Sequence, residues 1–264
     1  MELPISGIEV LLCTPNGKDD LAILEAGSEP VEAALTVLPR LARMVGQNGD
    51  EAGASAAWAN LTVTDFDVAL LGLRRFLFGD TVACLFRCPA ESCGERIEPT
   101  FSIAAFLAEM KPSLPKRVQP SEDRAGWFNL SGEGDDTVQF RLPTVGDQVQ
   151  VLGRPHAFQL LSQRCIMAPK LSARVVAQVE RAMAAMAPVV SRPVEGNCPE
   201  CGAPVAMPLH VPSLVMDELR ESAAGIHQEI HAIAESYHWD EAAILAMPQL
   251  RRRAYADTIR GQVV

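Results

Sequence analysis

The sequence predicts an α+β protein, mainly helical, with a small β element built from two repeated cysteine knuckles. Three observations lead there. Apolar residues recur at helical spacing along most of the chain. Short alternating segments, such as TVACLFR and APVAMPLHV, sit directly against cysteine pairs. The two cysteine segments also match each other beyond their cysteines.

Residues 1–54 begin with an extended stretch, IEVLLCTPNG, followed by an amphipathic one, PVEAALTVLPRLARMV. The small and polar residues of GQNGDEAGASA then read as a linker. An arm with one or two short helices is expected. Residues 55–110 carry a helix, a strand and the first knuckle. Phe66, Leu70, Leu73 and Leu77 fall on one helical stripe, Thr64 followed by Asp67 resembles a capping box, and Gly79 is a natural stop. In the strand that follows, Val82, Cys84 and Phe86 share a face that runs into Cys88.

Residues 111–187 read as an insertion. Its first part, MKPSLPKRVQPSEDRAGWFNLSGEGDD, is rich in Pro, Gly and charge and is expected to be irregular. TVQFRL is a strand with Val138, Phe140 and Leu142 on one face, and PTVGDQVQVL turns into a helix. From His156 to Met186 the pattern is helical, with a stripe of Val175, Val176, Val179, Met183 and Met186 that Pro188 and Pro193 end. Residues 188–219 hold the second knuckle, and helices fill residues 220–264. There Asp240 is placed to cap EAAILAM, and Pro248 to open QLRRRAYADTIR.

With 264 residues, 48% of them apolar, the chain can bury a substantial core. Its formal charge of −10 and pI near 5.0 disfavour a nucleic-acid surface, which needs clustered Lys and Arg. No apolar run reaches the length of a membrane span, so no membrane partner is expected. The start, MELPISGIEVLLC, lacks a basic n-region, which points to a protein made in the cytosol. There seven cysteines are metal ligands or buried thiols more readily than a disulfide framework.

The first cysteine segment reads CPAESCGERIEPTFSIAAFLAEM and the second CPECGAPVAMPLHVPSLVMDEL. Counted from the closing cysteine, Ile97 matches Val205, Pro99 matches Met207, Phe101 matches Leu209, Ile103 matches Val211 and Phe106 matches Leu214. The unit is a knuckle, a strand and a helix. Two thiolates across a tight turn can face one tetrahedral ion, and a glycine after the second cysteine permits a left-handed backbone. Cys88, Cys93, Cys198 and Cys201 would then hold one structural zinc and make the β element zinc-ribbon-like. The first knuckle is C-x4-C, two residues longer than the second, and about a hundred residues separate the two. Buried thiols without metal, and a disulfide within each knuckle, remain open alternatives. Cys84 reads as a buried thiol, and Cys13 and Cys165 have no ligand spacing.

Little else suggests chemistry. His227 and His231 lie at i, i+4, but IHQEIHAIAESYHW is not the H-E-x-x-H of a metalloprotease, and they read as surface or interface residues. His210, between core-facing Leu209 and Val211, is expected to point away from them. No G-x-S-x-G, Walker loop or dinucleotide fingerprint occurs. The run Arg251–Arg253 reads as a solvated face or a contact for an acidic protein.

The order of four elements resembles a known family: LTVTDFDVALLGLRRFLFGDTVAC into a CP..CG knuckle, FRLPTVGD, the second knuckle with LHVPSLVMDEL, and IHAIAESYHWDEAAILAMPQLRRRAYADTI. The most specific part lies in His231, Ala232, Tyr237, His238, Trp239, Glu241, Ile244, Leu245, Pro248, Arg252, Arg253 and Tyr255. Over residues 60–260 the chain resembles the T4-type baseplate proteins of contractile-tailed phages and related contractile injection systems. The first knuckle is wider than the family's shorter spacing.

The resemblance implies a structural, non-enzymatic component of the baseplate and hub region. Its partners would be hub, tube or wedge subunits, its copies multiple, and its location the virion tail after assembly in the host cytoplasm. An assembly chaperone missing from the mature particle is the alternative within that setting. A zinc-ribbon nucleic-acid-binding regulator is the alternative outside it. The N-terminal arm would lie along a neighbouring subunit. Tyr237, Trp239, Arg252, Arg253 and Tyr255 form the expected interface, since aromatic and Arg residues are favoured at interface cores. The other reading is that Trp239 and Tyr255 only pack the last helices together.

Overall fold

The computed structural model describes residues 1–46, 51–131, 137–167 and 172–261, with Glu51 and Ala52 described by backbone alone. The chain begins inside the main core. Leu3 and Val10 are buried, and strand β1 (Val10–Leu12) leads into helix α1 (Gly17–Glu25). Asn16 starts that helix by accepting the amides of Lys18 and Asp19, while the Asp19 carboxylate accepts the Asn16 amide. Helix α2 (Pro30–Leu41) buries Val31, Ala34, Val37, Leu38 and Leu41, the apolar face read from its spacing. Strand β2 (Ala42–Met44) then pairs antiparallel with β1, Val10 opposite Met44.

The expected arm is therefore a folded part of the core, because its two amphipathic helices need one another's apolar faces and that of a later helix. The expected linker is corrected too. Positions 47–50 lie outside the described residues, but helix α3 (Glu51–Ala59) follows at once. Its alanines favour helix more than its small size and single Gly53 oppose it. Helix α4 (Val63–Phe78) is capped by Thr62, whose hydroxyl accepts the Asp65 amide, and not by a Thr64–Asp67 box. Thr64 instead donates to the Pro188 carbonyl. Phe66, Leu70 and Leu73 are buried as expected, and Gly79 ends the helix.

Strands β3 (Thr81–Ala83), β4 (Phe86–Arg87), β5 (Arg96–Ile97) and β6 (Thr100–Ser102) form two nested ladders, β3 on β6 and β4 on β5. The first knuckle is the tip of this hairpin. Helix α5 (Ile103–Ala108) returns Ile103 and Phe106 to the main core.

The insertion has its own core. Strands β7 (Val118–Pro120), β8 (Trp127–Ser131) and β9 (Thr137–Arg141) run antiparallel, Phe128 opposite Phe140. Helices α6 (Val145–Val151) and α7 (Ala157–Cys165) lead to strand β10 (Ile166–Met167), which pairs with β9, and to helix α8 (Ala173–Met186). The Pro- and Gly-rich stretch is thus partly strand, and its positions 132–136 lie outside the described residues. So do positions 168–171, within the span expected to be helical. Val138, Phe140 and Leu142 meet Val175, Val176, Val179, Met183 and Met186 of α8, the two stripes read from the sequence.

Strands β11 (Val194–Asn197) and β12 (Pro204–Met207) form the second hairpin, and helix α9 (Val211–Ala223) returns to the main core. Arg74 fixes α4 to α9. Its Nε donates to Glu218 Oε2 at 2.8 Å, and its Nη1 donates to the Gly79 and Thr81 carbonyls at 2.7 Å each. The helix before the first hairpin is thereby held to the helix after the second.

Helices α10 (Ile226–Tyr237), α11 (Glu241–Leu245) and α12 (Gln249–Ile259) close the chain around Ile233, Ile244 and Met247. Asp240 caps α11 by accepting the Ala243 amide, and Pro248 precedes α12, both as expected. Gly17 of α1 packs so closely on α11 that a Cβ there would stand 2.8 Å from Leu245 Cα. Among the described residues, no helix is long and apolar enough to cross a membrane.

Candidate metal centre

The two hairpins bring the knuckles together. In each, the first cysteine's amide donates across the hairpin to the residue two after the closing cysteine: Cys88 to the Glu95 carbonyl at 2.9 Å, Cys198 to Ala203 at 2.8 Å. In each, the glycine after the closing cysteine is left-handed, with φ of 62° at Gly94 and 74° at Gly202. The two extra residues of the first knuckle are absorbed before a shared turn, where the Cys93 and Gly94 amides both donate to the Ala90 carbonyl. The wider spacing therefore still presents two sulfurs at the tip.

All four Sγ atoms, of Cys88, Cys93, Cys198 and Cys201, lie within 4.8 Å of one another. Cys88 Sγ is 3.7 Å from Cys201 Sγ. Tetrahedral zinc with Zn–S bonds of about 2.3 Å needs sulfur–sulfur edges of about 3.8 Å, so this edge fits, and no other edge exceeds the 4.8 Å bound. A disulfide needs about 2.05 Å, and all seven cysteines are free. The expected pairing of each knuckle with the other is what the fold provides.

The surroundings suit thiolates held by a cation. Cys88 accepts the amide of Ala90, Cys93 that of Glu95, and Cys198 those of Cys201 and Glu200. Burial pushes the Cys198 thiol up, but these two amides and the neighbouring thiols hold it down at about 7. At Cys93 the Glu95 amide lowers the value, but burial and the three other sulfurs outweigh it and push it to about 12. Without a cation the cluster accepts one negative charge and resists the next. A divalent ion removes that conflict, and binding it expels protons. Ile97 and Val205, the matched residues of the repeat, pack on the sulfurs with Phe86 and Ala90 and keep water from that side.

The other cysteines lie apart from this group. Cys84 is half-buried against the main core, and Cys165 is buried, its thiol pushed to about 11 chiefly by burial. His210 is exposed, as expected, and caps α9 by accepting the Ser213 amide. His227 and His231 are exposed on α10.

The residues read as an interface separate into two sets. Tyr237, Trp239 and Tyr255 form one ring cluster, with Tyr237 stacked on Trp239 at 5.1 Å and Trp239 edge-on to Tyr255 at 5.2 Å. Tyr237 remains 40% exposed and Trp239 38%, so the cluster both packs the last helices and faces outward. Arg252 does neither. It is 1% exposed and pairs with Asp20 and Glu229, which corrects its reading as an interface residue on a solvated face. Arg253 is partly exposed, bonded to the Ser222 carbonyl and 3.5 Å from Glu229.

Arg252 sits four residues after Pro248 and four before buried Ala256, on the inward stripe of α12. That spacing was the signal available in the sequence, but the charge run hid it. The partner Asp20 lies 232 positions away, beyond any local pattern. Comparison with family models, curated proteins and solved structures finds no match for this chain.

Proposed function

We propose that this protein is a structural, non-enzymatic component of the baseplate and hub region of a contractile phage tail or phage-like injection system. One zinc, held by Cys88, Cys93, Cys198 and Cys201, staples it. The observation that supports the staple is the convergence of those four sulfurs from two hairpins, with Cys88 and Cys201 113 positions apart. Four sulfurs leave zinc no open position, so such a site stabilises and does not activate water or substrate. Its effect is to fix the insertion's two ends beside the main core, with α4 and α9 already joined through Arg74.

Support for the setting comes from the sequence resemblance, whose most specific residues include the outward ring cluster of Tyr237, Trp239 and Tyr255. Rigid aromatic rings with one exposed edge suit anchoring against hub, tube or wedge subunits. Mass spectrometry of purified particles from a source whose gene is flanked by sheath and tube genes tests this. The chain should be present in finished particles in fixed ratio to the tube protein. Presence in immature assemblies alone would make it an assembly chaperone, and absence from both would overturn the reading.

A further inference from the structure

The four sulfurs are unequally exposed. Cys88 and Cys198 are buried, Cys93 is half-buried and Cys201 is exposed. Yet Cys201 Sγ touches the buried sulfur of Cys88 from the opposite knuckle, at 3.7 Å. A reagent in solvent therefore meets the cluster at Cys201, while a sulfur placed to answer it waits on the other hairpin. We propose that the cluster is also a redox modification site, in which Cys201 reacts first and Cys88 resolves it into a disulfide between the knuckles. This rests on the four-sulfur geometry described above, but not on the identity of the metal.

The oxidant required is a low-molecular-weight disulfide. The Cys201 thiolate attacks one of its sulfurs, forming a mixed disulfide and expelling one thiolate. The Cys88 thiolate then attacks Cys201 Sγ and expels the second. Two cysteine thiols are oxidised, one disulfide is reduced to two thiols, and the protons pass to the expelled thiolates. Closing from 3.7 Å to a bond of about 2.05 Å asks each sulfur to move by about 1 Å. A bound cation withholds both thiolates from attack, so metal loss opens the site.

The choice of resolving sulfur has a consequence. A Cys198–Cys201 bond would lie within one knuckle and leave the hairpins unjoined. A Cys88–Cys201 bond keeps the join across 113 positions without metal. The cluster then holds the same two segments in both the reduced, metal-bound form and the oxidised, metal-free form.

The test uses the full chain, stripped of metal with a chelator and treated with oxidised glutathione, with disulfides mapped by mass spectrometry. A parallel sample is alkylated with iodoacetamide over time. Cys201 should label at least about tenfold faster than Cys88 or Cys198, and Cys88–Cys201 should be the main bond formed. Zinc-loaded protein should be protected. A main bond of Cys198–Cys201 or Cys88–Cys93, equal labelling of the four thiols, or equal oxidation with and without zinc would each overturn the proposal. Metal content of the untreated protein is measured separately. A chain that carries no zinc yet forms Cys88–Cys201 would sink the zinc staple and leave this inference standing.

Discussion

Arg252 and Asp20, 232 positions apart, form a buried ion pair in which each side chain is 1% exposed. Glu229 completes the arrangement, with Arg252 Nε donating to its Oε2 at 2.7 Å. One guanidinium on α12 therefore ties α1 to α10. Taking such charges from water is costly, and the arrangement is tolerable only while every partner is present.

Arg252→Ala should accordingly destabilise the fold by about 3–5 kcal/mol, since it removes the cation shared by two buried carboxylates and leaves Asp20 only the Gln249 amide and Glu229 only the more distant Arg253. Its exposed neighbour gives the control: Arg251→Ala, which loses only a ring contact to Tyr255, should cost less than about 1 kcal/mol. Denaturant titration of both variants checks the difference. Equal, small effects would mean that the buried pair contributes nothing.

At the sulfur cluster, Cys198→Ser should destabilise by more than about 4 kcal/mol in zinc-replete buffer, in the range of large effects to which loss of a metal belongs. Chelation of the wild type should lower its melting temperature in the same direction, and the variant should no longer respond to chelator. Cys13→Ser, outside the cluster, should leave the response to chelator intact.

Two buried carboxylates should give opposite pH signatures. Asp67, donated to by the Ser191 hydroxyl at 2.7 Å, is pushed up to about 6 by burial. Its folded value exceeds the unfolded one, so the folded state binds the proton more tightly and Asp67 weakens the fold as pH rises from about 4 to 6. Relative to Asp67→Asn, the wild type should gain stability as pH falls through that window. Asp147 resists burial through Arg141 first, then the Thr144 amide and Arg164, which hold it well below the usual carboxylate range. Its contribution is full above about pH 4 and declines as pH falls further. Relative to Asp147→Asn, the wild type should therefore lose stability in acid. Urea unfolding at a series of pH values measures both slopes, and matching slopes would contradict the assignment.

For the ring cluster, Trp239→Ala should cost about 1–2 kcal/mol of stability, because the ring is partly exposed and loses two aromatic neighbours. Its effect on incorporation into particles should be much larger. Quantitative mass spectrometry of particles carrying the variant reads this, and wild-type incorporation would remove Trp239 from the proposed interface.

What was legible in the sequence was whatever repeats locally. The knuckle, strand and helix unit could be aligned residue by residue, and Ile97 and Val205 do pack on the sulfurs together. The α8 stripe and the caps at Asp240 and Pro248 were equally plain. Strands β7 and β8 were not, since Trp127, Asn129 and Ser131 face away from the core and leave few apolar positions to count. The place of residues 1–46 in the main core was hidden for another reason: Leu3, Ile23 and Val37 are buried by elements far along the chain. Arg252 shows the limit most clearly, because a charge run has no mark that separates its one buried member.

Metal content with coordination tests the central claim most directly. X-ray absorption at the zinc edge, on protein purified without added metal, should show one zinc per chain bound by four sulfurs at about 2.3 Å. A folded chain without metal, or a zinc bound by nitrogen or oxygen in place of the four cysteines, would contradict it.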